Sequence, residues 1–273
     1  MKKLISIFVF IMAVLSGCEN QNNATEMITE ELNTTEAQKT VELSKADIGD
    51  IVQMGTYEQD GDPETEDPIC WDVLDKDGDA VLLISHDVIA YQRFSDSAKC
   101  VIWEDSQIRS WLNQAFYAEA FDETEQASIR ETTLENPSTV EFAAHIRPAV
   151  EVQIRESRPD TKDKIFMLSW KEAEQYYGKG LRNESVLGRR PSSAVLQKRK
   201  TLFTELLIGK FSDSSSHTLS LVDGTERLSW MLRSTGYDGI NCILVIGYDG
   251  KRSQDKAASY NGVRPAMWVN VGD

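Results

Sequence analysis

The chain has 273 residues and 41% of them are apolar, which is enough for one sizeable hydrophobic core and excludes a fully disordered protein. Its formal net charge of −15 argues against sequence-independent nucleic-acid binding, which needs a basic surface to neutralise phosphates. Four cysteines and three histidines are too few for a disulfide framework or a protein with several zinc ions. We therefore expect no nucleic-acid partner, and the motifs described below predict no cofactor.

The N-terminus carries an export signal. Lys2 and Lys3 precede an uncharged apolar run at residues 4–15, which is shorter than the roughly 20 residues that span a bilayer. Ser16, Gly17 and Cys18 follow, and this ending is similar to the lipobox of bacterial lipoproteins. The resemblance implies cleavage before Cys18 and attachment of diacylglycerol to its sulfur. An ordinary signal peptide with an incidental cysteine is the alternative.

These signals predict a signal peptide at residues 1–17, a lipidated flexible tether at 18–45 and one globular domain at 46–273. Residues 19–45 are rich in Asn, Thr and Glu and contain no aromatic residue, so they cannot bury enough surface to offset the entropy of ordering them. The lipobox resemblance implies a protein that is held at the cell membrane by the lipid on Cys18 and faces outside the cytoplasm.

The first half of the domain shows strand patterns and then helix patterns. Residues 51–55 form the first predicted strand, and the apolar runs at 69–74 and 80–85 flank an Asp-Gly turn, which predicts a β-hairpin. Apolar residues with helical spacing predict a helix at 106–118: Ile108, Trp111, Leu112, Ala115 and Phe116. Two capping boxes predict further short helices, one at Asp122 with Glu125 and one at Ser169 with Glu172.

In the second half, four further apolar runs predict strands: residues 165–168, 228–233, 240–246 and 263–271. The helix that begins at Ser169 is expected to stop at Gly178. Arg233 and Arg264 lie within the apolar runs, so we expect both to be buried and paired with carboxylates.

Two charged clusters are candidate binding sites. An acidic cluster before the hairpin could hold calcium through its carboxylate oxygens, or could be a solvated loop: Asp60, Asp62 and Glu64. Residues 179–210 are basic and could dock an anionic partner, or could be a solvated face, with the densest charge at Lys198, Arg199 and Lys200.

No catalytic set is evident. Ser85, His86 and Asp87 are consecutive, and consecutive strand residues point to opposite faces, so they do not predict a hydrolase triad. Beyond Cys18, the pairing of Cys70, Cys100 and Cys242 stays open. Small, buried and apolar thiols are the expected state of these three residues.

Several separated segments resemble one family when taken in order. They are PICWDVL at 68–74, LLIS at 82–85, WEDSQIRSWLN at 103–113, IFMLS at 165–169, WMLRS at 230–234 and GVRPAMW at 262–268. Their order and spacing are similar to the bacterial family called domain of unknown function 6273, over about residues 50–271. The resemblance implies surface or exported proteins and no established activity.

The end of the chain also resembles the close of the C-type lectin-like fold, which formylglycine-generating enzymes share. This resemblance implies an α+β domain with a twisted antiparallel sheet, two to three short helices and long loops. Those enzymes carry a nearby pair of copper-binding cysteines, and this chain offers only Cys242 in that region. We therefore expect a non-catalytic binding module for an envelope glycan, wall polymer or protein. An envelope oxidase related to the formylglycine-generating enzymes is the alternative.

Overall fold

The computed structural model describes residues 40–62, 64–96, 102–136, 158–178, 192, 195, 197–198, 220–222, 225–236 and 242–271. Residues 1–39, which include Cys18, and Cys100 lie outside this part of the chain. Residues Thr40–Asp273 form one compact unit. No helix of the described ranges is long and apolar enough to span a bilayer.

The secondary structure of the described residues is numbered in chain order. The strands are β1 (Ile51–Tyr57), β2 (Asp67–Asp77), β3 (Ala80–Ser85), β4 (Ala90–Arg93), β5 (Thr132–Asn136), β6 (Arg158–Asp163), β7 (Ser220–Val222), β8 (Thr225–Arg227), β9 (Trp230–Thr235), β10 (Cys242–Ile246), β11 (Arg252–Lys256), β12 (Tyr260–Val263) and β13 (Ala266–Asn270). The helices are α1 (Gln107–Trp111), α2 (Tyr117–Ala120), α3 (Glu123–Ser128) and α4 (Trp170–Tyr177). A π-helical turn at Leu112–Phe116 joins α1 to α2.

Two sheets carry most of the strands. A four-stranded antiparallel sheet has the order β1-β2-β3-β13, so the first and last strands form its two edges. A five-stranded sheet has the order β11-β10-β9-β12-β4, and β5-β6 and β7-β8 are separate hairpins. These sheets and short helices confirm the predicted α+β class. Pairing between the described strands is antiparallel, as predicted, except that β12 runs parallel to β9. The finer resemblance to the C-type lectin-like fold stays a prediction.

The predicted strand at 263–271 is wrong as one element, because it is divided between the two sheets. Residues up to Val263 belong to β12, whereas β13 begins at Ala266 and pairs with β3. Arg264 and Pro265 form the crossing, and the carbonyl of Pro265 accepts the N–H of Ser85 at 2.9 Å. Proline has no N–H for a continuing ladder, which explains why one strand ends here and the next begins in another sheet.

The predicted β2–β3 hairpin is confirmed, but its register is irregular. Asp77 pairs with Ala80 at the turn, and the pairing shifts by one residue between Val73 and Asp75. Beyond this bulge, Trp71 stands opposite Ser85. A one-residue shift exchanges the two faces of a strand, so the bulge decides which side chains of β2 and β3 share a face.

The predicted helices and caps are confirmed, with one change in helix length, whereas one strand predicted beside them is absent. The helix expected at 106–118 continues to Ala120 through the π-helical turn. Both capping boxes are present, at the N-termini of α3 and α4. The strand expected at 165–168 is wrong, because within this buried segment only Phe166 pairs with a strand residue, in a single bridge to Ala266.

The hydrophobic core lies between these elements. Trp71, Trp103 and Trp230 are buried, whereas Trp111 and Trp268 are partly buried and pack against the core.

The folded part begins before the predicted boundary at residue 46. The N–H of Val41 donates to Ile51 at 2.9 Å, and Leu43 packs against the core. The last residues of the expected tether therefore contact the domain.

Candidate functional site

A polar cleft opens beside α1 and the end of β6. Its volume is about 530 Å³, and it is lined by Glu104, Asp105, Ser106, Arg109, Ser110, Asn113, Gln114, Glu131, Lys162, Asp163 and Lys164. We call this group of residues the polar cleft. Its lining comes from three separated parts of the sequence, which the packing of α1 against β6 brings together.

The floor of the polar cleft is a buried carboxylate. The side chain of Asp163 is only 1% exposed and accepts hydrogen bonds from Arg109 Nε at 2.6 Å and from Trp103 Nε1 at 2.9 Å. Thr161 Oγ1 donates a further bond at 2.8 Å. A buried charge is stable only when it is paired and hydrogen-bonded, and Asp163 meets both conditions. The hydrogen bonds therefore hold the floor in place. The negative charge of Asp163 is already paired with Arg109, so it is not available to a ligand.

Arg109 and Asn113 fix α1 to this floor. Besides Asp163, Arg109 donates to the carbonyls of Glu104 at 3.0 Å and Lys162 at 3.3 Å. Asn113, in the π-helical turn, donates to the carbonyls of Arg109 at 3.1 Å and Ile165 at 2.8 Å. π-Helical turns are frequent at functional sites, because they change the direction of side chains within a helix. Here the turn coincides with the side of the helix that lines the cleft.

The rim of the polar cleft is open to solvent. Glu104, Asp105, Ser110 and Gln114 are exposed. The ammonium group of Lys162 and the carboxylate of Glu131 are 3.9 Å apart, with side chains 71% and 60% exposed. An exposed pair of this kind contributes little to stability, about 0–1 kcal/mol, so its charges can be exchanged for those of a ligand at small cost.

A second polar cluster joins the two sheets. The guanidinium of Arg264 is fully buried and donates to the carbonyl of Ser85 at 2.8 and 2.6 Å and to Asp72 Oδ2 at 3.2 Å. It also lies 4.8 Å from the ring centre of Trp230. Asp72 Oδ1 contacts Nδ1 of His86 at 2.5 Å. The expectation that Arg264 is buried and paired is confirmed, and Arg233 is likewise buried against the carboxylate of Glu172.

His86 and Cys70 stand opposite each other beside this cluster. The N–H of His86 donates to the carbonyl of Cys70 at 2.8 Å, and Gln53 pairs with Cys70 from the other side. Gln53 Nε2 contacts the sulfur of Cys70 at 3.8 Å. Burial raises the pKa of the Cys70 thiol, the hydrogen bond from Gln53 opposes this shift, and the charges of Asp87 and Asp72 raise it further.

The cysteines differ from the expected buried state. Cys70 and Cys242 are half-buried. Cys242 begins β10 in the five-stranded sheet, whereas Cys70 lies in the four-stranded one. No pair of neighbouring cysteines is present in the part of the chain that the structure describes.

The acidic cluster forms a loop that is held by its own carboxylates. Asp60 accepts the N–H of Asp62 at 2.7 Å, and Asp62 accepts the N–H of Glu64 at 3.0 Å. Among the described residues, no group of three or more His, Cys, Asp or Glu side chains could hold a metal ion. Calcium binding at this loop stays a prediction without geometric support.

The basic cluster is described only at Lys198. Its side chain is exposed, and partial desolvation lowers the pKa of its ammonium group. Arg199 and Lys200 lie outside the described residues. The neighbouring Gln197 places Oε1 3.1 Å from the position that a Cβ would take on Gly61, so part of the basic stretch borders the acidic loop.

The polar cleft was not predicted from the sequence. A local signal existed, because Arg109 and Asn113 are four residues apart and therefore share one side of the helix. Their partner Asp163 is about 50 positions further along the chain, and no spacing rule connects it to α1. The cleft depends on that tertiary contact.

Comparison with known families decides the identity of the domain. The model of the family named Domain of unknown function (DUF6273) matches residues 78–271, more than half of the chain. The chain belongs to the DUF6273 family. No curated protein and no solved structure matches it. In this DUF6273 protein the matched region contains the whole polar cleft together with His86 and Arg264, whereas Gln53, Cys70 and Asp72 precede it.

Proposed function

We propose that this DUF6273 protein is a lipid-anchored envelope protein whose domain binds a wall polymer in the polar cleft. The observation that carries the proposal is the contrast within the cleft between its buried, fully bonded floor and its exposed, polar rim. A site whose floor is held by hydrogen bonds and whose rim presents hydrogen-bonding groups is preorganised. Preorganisation reduces the entropy lost on binding.

The size and chemistry of the cleft favour a polar ligand. Ligand sites usually measure about 300–1,000 Å³, and the polar cleft has about 530 Å³. Its rim offers carboxylates, an ammonium group, an amide and a hydroxyl. Among its described lining residues there is no aromatic ring. Recognition would therefore depend on hydrogen bonds and charge, and a wall polymer that carries charged substituents suits it better than a neutral sugar that needs a stacking surface.

The N-terminal signal supports the same setting. A lipid on Cys18 would keep the domain at the envelope, where wall polymers are abundant. The acidic chain would be repelled by anionic headgroups, so the lipid would be the main attachment to the membrane.

Co-sedimentation tests the proposal. Residues 40–273, which form one compact unit, would be mixed with purified cell-wall sacculi and with a panel of soluble polysaccharides. We expect saturable binding to sacculi that is unchanged by a calcium chelator. Chelator-sensitive binding would instead assign recognition to the loop of Asp60, Asp62 and Glu64. Absence of binding to any polymer would contradict the proposal and favour a protein partner.

A further inference from the structure

Gln53, Cys70 and His86 stand side by side on the outer face of the four-stranded sheet. Gln53 and Cys70 are register partners, and the N–H of His86 donates to the carbonyl of Cys70. We propose that Cys70 is a nucleophile for acyl transfer, that His86 is its general base, and that Asp72 positions the imidazole. This proposal assigns an activity beyond wall-polymer binding, and it depends on none of the residues of the polar cleft.

The backbone places the three groups within reach of one another. Residues directly opposite on antiparallel strands have Cβ atoms about 4.5–5.5 Å apart. Cys70 and Asp72 are two positions apart on β2, so they share a face, and the 2.5 Å contact with Asp72 shows that His86 shares it too. A nucleophile beside a base that a third group orients is the arrangement that nucleophilic enzymes require. Contacts between nucleophile and base often shorten only when the substrate binds.

Asp72 is itself held in place. Its second oxygen accepts from the fully buried Arg264, which fixes the carboxylate against the crossing between the sheets. With Nδ1 of His86 on this carboxylate, the imidazole is held in the orientation that its role as a base requires. Such a pair keeps the base in one orientation while a proton moves to and from Nε2.

The reaction would proceed in two balanced steps. In the first, the sulfur of Cys70 bonds to the acyl carbon of an ester or amide, the thiol proton passes to His86, and the bond to the leaving group breaks as that group takes the proton. In the second, water attacks the thioester, His86 accepts its proton, and the acid is released with the thiol restored. The amide of Gln53, already beside the sulfur, could donate to the oxyanion in both steps.

Acetylation by p-nitrophenyl acetate tests the site in the purified full-length protein in detergent. We expect an acetyl adduct on Cys70, located by peptide mass mapping, to form faster than any adduct on Cys242. His86→Gln should slow adduct formation on Cys70 by roughly 100-fold, because a general base contributes about that factor or more. Cys242→Ser is the matched control, since Cys242 is also a half-buried cysteine but lies in the other sheet, and it should leave the rate at Cys70 unchanged.

The pH dependence separates catalysis from simple thiol reactivity. The charges of Asp87 and Asp72 act on Cys70, and Arg264 donates to Asp72. With His86 as base, adduct formation on Cys70 should not require the alkaline pH that ionises the thiol, because the base takes the thiol proton. In His86→Gln it should rise only at alkaline pH, because burial raises the pKa of the thiol. Asp72→Asn should slow adduct formation on Cys70 at neutral pH, because the imidazole loses the group that orients it.

Three results would overturn the proposal. The first is equal acetylation of Cys70 and Cys242, and the second is a wild-type rate of adduct formation in His86→Gln. The third is adduct formation that rises only at alkaline pH in the wild-type protein as well as in His86→Gln. An unchanged rate of adduct formation in Asp72→Asn would overturn the role of Asp72. Circular dichroism of each variant would show that the fold is retained, and Cys70→Ser, which has nearly the same size, would show that the adduct needs the sulfur.

Discussion

At the residue scale, the environment of each charged side chain determines what it contributes. Arg264 has no exposed surface and lies between the two sheets, with Asp72 and Ser85 on one side and Trp230 on the other. Arg130 makes ion pairs of similar length with Asp77 and Asp79, but those partners are largely exposed. The two arginines therefore differ mainly in burial.

We predict that Arg264→Met lowers the free energy of unfolding by about 3 kcal/mol or more, because it leaves the carboxylate of Asp72 without its buried partner. Arg130→Met should cost less than about 1 kcal/mol, as expected for exposed pairs. Urea denaturation of both variants measures the difference. Equal losses would mean that Arg264 contributes no more than a surface residue.

Tyr57 provides a pH-dependent prediction. Burial, and then the negative charges of Glu119 and Glu58, raise the pKa of Tyr57 to about 12. An unfolded tyrosine ionises near pH 10, so between about pH 10 and 12 the unfolded state loses its proton first and stability falls as pH rises. Tyr57→Phe keeps the ring that packs against Phe116 and removes this loss.

Urea unfolding at a series of alkaline pH values measures that effect. We expect the stability of Tyr57→Phe to decline less steeply than that of the wild-type protein over this interval. Parallel curves would show that other groups cause the alkaline loss.

At the element scale, β1 approaches α2 so closely that only glycine fits at position 55. Gly55 has a φ of +70°, and an added Cβ would lie 2.5 Å from the carbonyl oxygen of Ala120. Gly78, in the β2–β3 turn, has a similar φ of +60° but open space around it. A comparison of Gly55 with Gly78 therefore separates the energetic cost of the backbone conformation from the cost of the close contact with α2.

We predict that Gly78→Ala destabilises the domain by about 1 kcal/mol, which is the cost of a left-handed conformation with a side chain. Gly55→Ala should destabilise it by at least about 2 kcal/mol more, because β1 and α2 must move apart. Thermal unfolding of the two variants tests this. Similar melting temperatures would contradict the tight contact.

Elements with a local sequence signal could be predicted, whereas features that depend on tertiary contacts could not. The Asp-Gly turn and the capping boxes are local signals, and the hairpin and helices they predict are present. The bulge between Val73 and Asp75 has no such signal. Without it, His86 would stand opposite Trp71 and face the core, so the proximity of Cys70 to His86 could not be predicted from alternation alone. The polar cleft was missed for a similar reason, since Asp163 reaches α1 only through tertiary packing.

At the scale of the whole molecule, the proposal requires attachment at the N-terminus and recognition in the domain. We predict that Cys18→Ser moves the protein from the membrane fraction to the soluble or culture fraction, because a serine cannot receive the thioether-linked lipid. Cell fractionation with immunoblotting checks this, and Cys242→Ser is the control that should remain in the membrane. Retention of the Cys18→Ser protein in the membrane would contradict lipid anchoring.

The matched region of the DUF6273 family includes the whole polar cleft, so the cleft lies in the part of the chain that defines the family. Its exposed pair, Lys162 with Glu131, can be neutralised without disturbing the floor at Asp163. A second exposed pair, Lys45 with Glu42, lies outside the matched region, and its side chains are 73% and 64% exposed. This second pair is a matched control of the same charge and similar exposure.

The most direct measurement is the affinity for sacculi of the double variant Lys162→Gln with Glu131→Gln, compared with Lys45→Gln with Glu42→Gln. Both variants keep the net charge of the domain, so a difference between them reports the location of the site and not a general electrostatic effect. We predict at least a tenfold weaker affinity for the cleft variant, equivalent to about 1.4 kcal/mol, and an unchanged affinity for the control. Equal affinities in the two variants would contradict binding in the polar cleft.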